Sequence, residues 1–328
     1  MSVGSRAVVV GLLGVLLLLA ARLLTTAPPL PPDGAVVVIR DGDGVGEIAR
    51  RLAAAGVVRN ALLFRAWARW SGRDRTLQPG TYRFTAAAGI PEVLARLAAG
   101  ITPVELTVPE GLTVREVADL VAERGLARRD DVTCLAADPE FLLAAGVPGP
   151  QLEGYLFPDT YRFAPTAAAG EILETMVRRF HERFDAAHHR RAAEQGWTVN
   201  QVITLASIVE KETGKRDERP LVAAVFANRL RLGMPLQSDP TVIYGIPEFG
   251  GTLTRADLNR ATPYNTYVVR GLPPGPIANP GLAAIDAVLE PARSPALYFV
   301  ARNDGSHEFS DTLADHNRAV ERFQRRGR

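Results

Sequence analysis

The stretch Trp197–Gly214, W-T-V-N-Q-V-I-T-L-A-S-I-V-E-K-E-T-G, decides how the rest of the chain is read. Thr198 followed three residues later by Gln201 is a capping-box start, and Gly214 is a natural stop, so the spacing predicts one helix. Its apolar stripe is Val202, Leu205 and Val209 with Ile208 alongside, and the next step of three or four residues lands on Glu212. Glu210 lies about 200° of helix from Glu212 and is expected to be solvated. A carboxylate in the last slot of a buried stripe loses hydration and meets the negative end of the helix dipole. Both effects raise its pKa, and a carboxyl still protonated near neutrality is a general acid. The residues alone leave a second reading open, a glutamate at a fraying helix end paired with Lys215 or a neighbouring arginine.

Downstream come R-P-L-V-A-A-V-F-A-N-R-L from Arg219, M-P-L-Q-S-D-P-T-V-I-Y-G from Met234, P-Y-N-T-Y from Pro263, G-L-P-P-G-P-I-A-N-P-G from Gly271 and L-Y-F-V-A from Leu297. Together with A-S-I-V-E-K-E-T from Ala206 and L-E-G-Y-L-F-P-D-T-Y from Leu152, they closely resemble the MltG/YceG-like endolytic murein transglycosylases. The resemblance is dense from Gln151 onward and looser before it. It implies that Glu212, the glutamate before the threonine of E-K-E-T, is catalytic. It also implies that the loops carrying Gln237, Asp239 and Tyr244, and Tyr264 and Asn265, line the cleft, with Glu153 a further substrate contact. The reaction implied is non-hydrolytic. One carboxyl protonates the glycosidic oxygen between N-acetylmuramic acid and N-acetylglucosamine, then takes the proton of the muramic C6 hydroxyl as that oxygen closes onto C1, leaving a 1,6-anhydro end.

Two other classes stay open. A hydrolytic muramidase would use a second carboxylate, Asp239 or Glu153, to activate water. A non-catalytic, membrane-anchored glycan-binding scaffold for cell-wall machinery is suggested by features of the N-terminal half.

That half begins with an apolar run from Ala7 to Leu24. At 1.5 Å per residue it spans about 27 Å, close to a bilayer core, with Arg22 snorkelling to the interface. A cleaved signal peptide competes with an uncleaved anchor, since the uninterrupted apolar part is shorter; Pro28 just after the candidate cut favours the anchor. The expected place is the inner membrane, spanned once, with the remainder outside the cytoplasm. The A-P-P-L-P-P segment from Ala27 is a semi-rigid spacer.

An internal repeat follows. V-I-R-D-G-D-G-V-G-E-I-A-R-R-L-A-A-A-G from Val38 aligns without gaps to T-V-P-E-G-L-T-V-R-E-V-A-D-L-V-A-E-R-G from Thr107, matching Gly42 to Gly111, Glu47 to Glu116 and Gly56 to Gly125. Each copy reads as strand, tight turn and helix, with Thr113 and Glu116 a capping box. The strand G-T-Y-R-F at Gly80 leads into a further helix from Gly89. Such units resemble LysM modules, which bind N-acetylglucosamine polymers; a plain scaffold is the competing reading.

The expected fold is therefore α+β: a transmembrane anchor over 1–26, a linker over 27–34, a LysM-like strand-helix module over 35–149 and an α+β catalytic domain over 150–328. Glu171–Gln195 reads as one amphipathic helix, Arg219–Leu232 as another, and Leu297–Ser310 as a hairpin turning at Asn303-Asp304-Gly305, followed by a closing helix from Thr312.

Composition narrows the function. A net charge of +2 with both signs interspersed leaves no nucleic-acid footprint. One cysteine, Cys134, excludes an internal disulfide. The five histidines show no metal spacing; His181 and His188 are expected to be solvated. Ser207 lacks the G-x-S-x-G elbow of a serine hydrolase. No cofactor is expected. The expected partners are peptidoglycan glycan strands, the membrane and cell-wall synthases.

Overall fold

Alternation in A-V-V-V-I puts Ala35, Val37 and Ile39 on one face, and these three are buried while Val36 and Val38 stay exposed. In the computed structural model, which describes residues 22, 24–26, 28–31, 34–247 and 249–325, this strand is β1 (Ala35–Ile39). It pairs antiparallel with β2 (Gly80–Phe84), in register from Ala35 opposite Phe84 to Ile39 opposite Gly80. Between them run α1 (Val45–Ala54) and α2 (Ala61–Trp70), and α3 (Ile90–Ala99) follows. Ile48, Leu52, Phe64, Tyr82, Phe84, Leu94 and Leu97 form their common core.

The chain divides into two units, one holding the described residues to Val104 plus Arg162–Thr166, the other Glu105–Tyr161 plus Ala167 onward. The division differs from the expected boundary at residue 149. The second repeat copy is bound into the second unit: Gly111 N donates to Asn279 O at 2.8 Å, Asn279 N to Leu112 O at 2.8 Å, and Val114 N to Glu153 Oε1 at 3.0 Å. The repeat itself is real in backbone terms. Gly42 and Gly111 both have φ of 82°, and Gly56 and Gly125 have 74° and 68°, conformations that cost a side-chain-bearing residue a Cβ clash.

From the unit boundary, β3 (Val104–Thr107) leads through the Gly111 turn to α4 (Val114–Glu123), whose Thr113–Glu116 capping box forms as read. Then come α5 (Arg129–Leu135), α6 (Pro139–Ala144) and β4 (Thr160–Phe163); Val108 N donates to Asp159 O at 2.9 Å where β3 and β4 meet. The expected single helix over 171–195 is two, α7 (Ala169–Arg183) and α8 (Ala186–Glu194). Asp185 breaks it by capping the Ala187 and His188 amides, with the His188 ring taking the part a glutamate usually plays. His188 is correspondingly buried, between Asp185 at 2.7 Å and Asp286 at 3.1 Å, and His181 Nε2 meets Ala145 O at 2.9 Å. His188 is therefore not solvated as expected, whereas His181 is exposed to solvent.

The central helix is α9 (Val199–Glu212), opened by the Thr198–Gln201 capping box. Every residue from Val202 to Val209 is buried, so over this stretch the helix is wrapped on all sides. After a 3₁₀ turn (Arg216–Glu218) come α10 (Arg219–Arg231), ended by Gly233 at φ 65°, α11 (Asp239–Tyr244), α12 (Arg255–Leu258) and α13 (Leu282–Leu289). The antiparallel hairpin β5 (Tyr298–Ala301) and β6 (His307–Ser310) precedes α14 (Leu313–Val320), which runs on into a π-helical turn at Glu321–Arg325. The α+β class holds. Among the described residues no helix is long and apolar enough to cross a membrane; the Ala7–Leu24 run lies, but for Arg22 and Leu24, outside them.

Candidate active site

Helix α9 stops because Thr213 turns to extended backbone, φ −139° and ψ 128°, while its amide still reaches Val209 O; Gly214 does not act as a left-handed stop. The break leaves the Glu212 side chain projecting from the last turn into a cavity of about 430 Å³. Leu236, Gln237, Asp239, Tyr267, Phe299 and His307 are among the residues around it.

Ser238, itself buried, donates its hydroxyl to Glu212 Oε1 at 2.5 Å. Burial pushes the Glu212 carboxyl up to about 7; the Ser238 hydrogen bond opposes the rise, the Asp239 charge adds to it, and the Arg229 guanidinium opposes it. Arg229 is held by carbonyls, donating from Nε to Leu297 O at 2.7 Å and from Nη1 to Leu236 O at 2.8 Å, and lies 5.2 Å from the Tyr298 ring centre. Asp239 Oδ1 accepts from the Tyr267 hydroxyl at 2.6 Å.

The backbone that presents Ser238 is forced. Gln237 has φ of 53°, a left-handed conformation costing an L-residue roughly 1–2 kcal/mol. Its amide donates to Thr266 O at 3.1 Å, the Ser238 amide to Thr266 Oγ1 at 3.0 Å, and Thr241 Oγ1 lies 2.8 Å from Thr266 Oγ1. Side chains and backbone of the 237–241 and 266 segments therefore fix one another.

Of the residues expected in the cleft, Glu212, Gln237 and Asp239 share this cavity. Asp239 and Tyr244 lie on a short helix, α11, where an irregular loop was expected. The others are used differently. Asn265 is fully buried; its Nδ2 donates to the carbonyls of Asp257, Leu258 and Arg260 and its Oδ1 accepts from Tyr267 N, which leaves no polar atom for a sugar. Glu153 is buried elsewhere, accepting from Val114 N, from the Tyr244 hydroxyl at 3.2 Å and from Asn279 Nδ2. Burial pushes its carboxyl up to about 8 against the pull of the Val114 amide and Tyr244. The Tyr264 ring packs on Tyr244 at 4.8 Å, and Gln151 Nε2 donates to the Tyr244 hydroxyl. Glu153, Tyr244 and Tyr264 thus anchor the far end of α11, the helix whose near end carries Asp239.

Glu210 is the clearest departure. Its side chain is 6% exposed, ion-paired with an equally buried Arg219, and takes the Gly281 amide at 3.1 Å. Ser238 and Tyr267 lie in the two loops expected to line the cleft, whereas Arg229, His307 and His316 were not singled out as site residues from the sequence. No local pattern marks Ser238; its role depends on a helix end 26 residues earlier.

Residues 37–322 match the family model of the YceG-like family. The chain belongs to the YceG-like family. It is 30% identical over 302 residues to the endolytic murein transglycosylase of Bacillus subtilis, covering 87% of this chain and 83% of that protein. It is 32% identical over 317 residues to the enzyme of the same description from Streptococcus pneumoniae, covering 87% of this chain and 57% of that longer protein. A crystal structure of a yceG-like protein from Listeria monocytogenes superposes with a TM-score of 0.61 at 32% identity, covering 88% of this chain and 99% of that one. The capped and wrapped Val199–Glu212 helix and the terminal hairpin are thus features of a YceG-like protein.

Proposed function

We propose that this protein is an endolytic peptidoglycan lytic transglycosylase that cuts the bond between N-acetylmuramic acid and N-acetylglucosamine and leaves 1,6-anhydromuramic ends. Its relatives from Bacillus subtilis and Streptococcus pneumoniae carry the name endolytic murein transglycosylase. The observation that carries the reading is one carboxyl, Glu212, poised near neutrality at the wall of a polar cavity. Glu212 gives its proton to the glycosidic oxygen. The Ser238 hydrogen bond strengthens as the carboxylate forms, so it favours the departure of that proton. Gln237 and Tyr267, which line the same cavity, orient the sugar in this reading. The nucleophile is the substrate's own C6 hydroxyl, which is why a hydrolase's second carboxylate is not required.

The deciding experiment digests long uncrosslinked glycan strands with the full-length protein and follows length and end group together by mass spectrometry. Strands should shorten through intermediate lengths from the first time points and end in anhydromuramic acid. Early accumulation of disaccharide from strands of undiminished length overturns the endolytic part, and reducing ends overturn the transglycosylase part.

The Ala7–Leu24 run supports an uncleaved inner-membrane anchor followed by a proline spacer, which would confine cutting to glycan near the membrane, where synthases deliver new strands. The native protein should retain Met1 and fractionate with the membrane; a native N-terminus near Pro28 excludes the anchor. The order β1-α1-α2-β2 supports a LysM-like, glycan-holding reading of the first unit, checked by co-sedimentation of the Glu212→Gln protein with sacculi.

A further inference from the structure

We propose that His307, held by Glu218, is a second proton-transfer group of the Glu212 cavity and accepts the proton of the attacking sugar hydroxyl. The inference rests on the transglycosylase reading and divides between two residues the acid and base duties that reading gives to one.

Glu218, at the end of the 3₁₀ turn before α10, takes hold of His307 twice. The His307 amide reaches Glu218 Oε1 at 3.1 Å and the ring Nδ1 reaches Oε2 at 2.6 Å. The two side chains are only 12% and 15% exposed, so water competes little for the contact. The ring is boxed edge-on by Phe299 at 5.4 Å, with Phe309 at 6.4 Å. With Nδ1 engaged by the Glu218 carboxylate, Nε2 is the ring nitrogen left to exchange a proton with a ligand. Nε2 has no hydrogen-bond partner among the described residues, is not a buried orphan, and belongs to a side chain that lines the cavity of Glu212. A carboxylate-oriented imidazole beside a reacting hydroxyl is the arrangement of a general base.

The other charged or titratable groups facing this ring are less suited. Glu212 has to start protonated and cannot be the base in the same instant. Asp239 spends an oxygen on Tyr267. Arg229 is a cation held by carbonyls. His316 stacks on Tyr298 with its Nδ1 buried and unpaired, so no carboxylate fixes its tautomer. Lys215 near the hairpin tip and the exposed Arg302–Glu308 pair on the hairpin are cationic or already matched.

The step balances. The bond from C1 to the leaving oxygen breaks as that oxygen takes the Glu212 proton, and the bond from O6 to C1 forms as the O6 proton moves to His307 Nε2. The resulting imidazolium is paired with Glu218. Transfer of its proton through solvent to the Glu212 carboxylate restores both groups.

The test measures kcat and KM on soluble uncrosslinked glycan strands from pH 4.5 to 9 for full-length wild type, His307→Gln and Glu218→Gln. The wild type should show a bell, its alkaline limb from Glu212 and its acidic limb from His307. His307→Gln should lose roughly 10²–10³-fold in kcat, keep KM within about twofold, still make anhydro ends and lose the acidic limb. Glu218→Gln, which supports the imidazolium less, should move the acidic limb to lower pH. A His307→Gln protein with wild-type kcat, with an intact acidic limb, or with only a raised KM overturns the proposal. Should His307→Gln fail to fold by circular dichroism, an unmoved limb in Glu218→Gln overturns it instead. Reducing ends made by the wild type would overturn the transglycosylase reading itself, before any variant is compared.

Discussion

Glu212→Gln abolishes measurable glycan cleavage and leaves a folded protein. The amide has no acidic proton, and general acid catalysis of this kind contributes on the order of 10²–10⁴ in rate. With the carboxyl at about 7, wild-type kcat/KM should also fall tenfold per unit as pH rises beyond that value, because the acid form is the active one. The sign for stability follows from the same shift. A carboxyl raised in the folded state contributes stability that is fully present below its unfolded value and is lost as pH rises through about 7. Glu212→Gln, neutral throughout, should therefore melt higher than wild type at pH 8 and lose that advantage at pH 4. Residual cleavage within a few-fold of wild type below about pH 7, where the wild-type carboxyl is protonated, would remove Glu212 from the mechanism.

The second large effect belongs to Glu210, and it is structural. Arg219 is 5% exposed, and its Nε and Nη1 have no hydrogen-bond partner among the described residues, so its charge is compensated by Glu210 and, at 3.2 Å, by Glu110. Breaking a buried pair by removing one partner leaves an uncompensated charge and costs about 3–5 kcal/mol. Because Glu110 remains, Glu210→Gln should fall near the lower end, about 3 kcal/mol in urea or thermal unfolding. Its folded fraction should keep the wild-type pH profile, since the Glu210 carboxylate is bound to Arg219 and Gly281 and is not among the groups lining the Glu212 cavity. Stability equal to wild type would contradict the pairing, and a flattened alkaline limb would contradict the choice between the two glutamates.

These two glutamates show what a single chain makes legible. The helix of Glu212 was readable because its evidence is local: Thr198 and Gln201 cap it, and the stripe points its last turn inward. The Glu210 environment was not readable, because the periodicity of one helix cannot reveal that α10 and α13 close over its other side. The same limit applies to Asn265. An asparagine in a loop serves equally well as a ligand contact or as a staple for three carbonyls, and only the folded loop distinguishes them. The break at Asp185 went unseen because neither Gly nor Pro marks it and its capping partner is a histidine. The Glu218–His307 pair spans 89 residues, the Ser238–Glu212 bond 26, and sequence spacing carries neither. The βα repeat was legible in its glycines, while the unit boundary at Val104 depends on which half each copy's turn is bonded to.

The left-handed backbone at Gln237 bears on when the site is complete. That conformation is disfavoured by itself and persists because Thr266, 29 residues onward, holds Gln237 and Ser238 in place. A chain emerging from the ribosome or caught half-folded lacks Thr266 in position, relaxes at Gln237 and cannot present the Ser238 hydroxyl to Glu212. The hairpin with His307 arrives later still. The hydrogen bond received by Glu212 thus depends on a contact between segments far apart in the chain and exists only once residue 266 is in place.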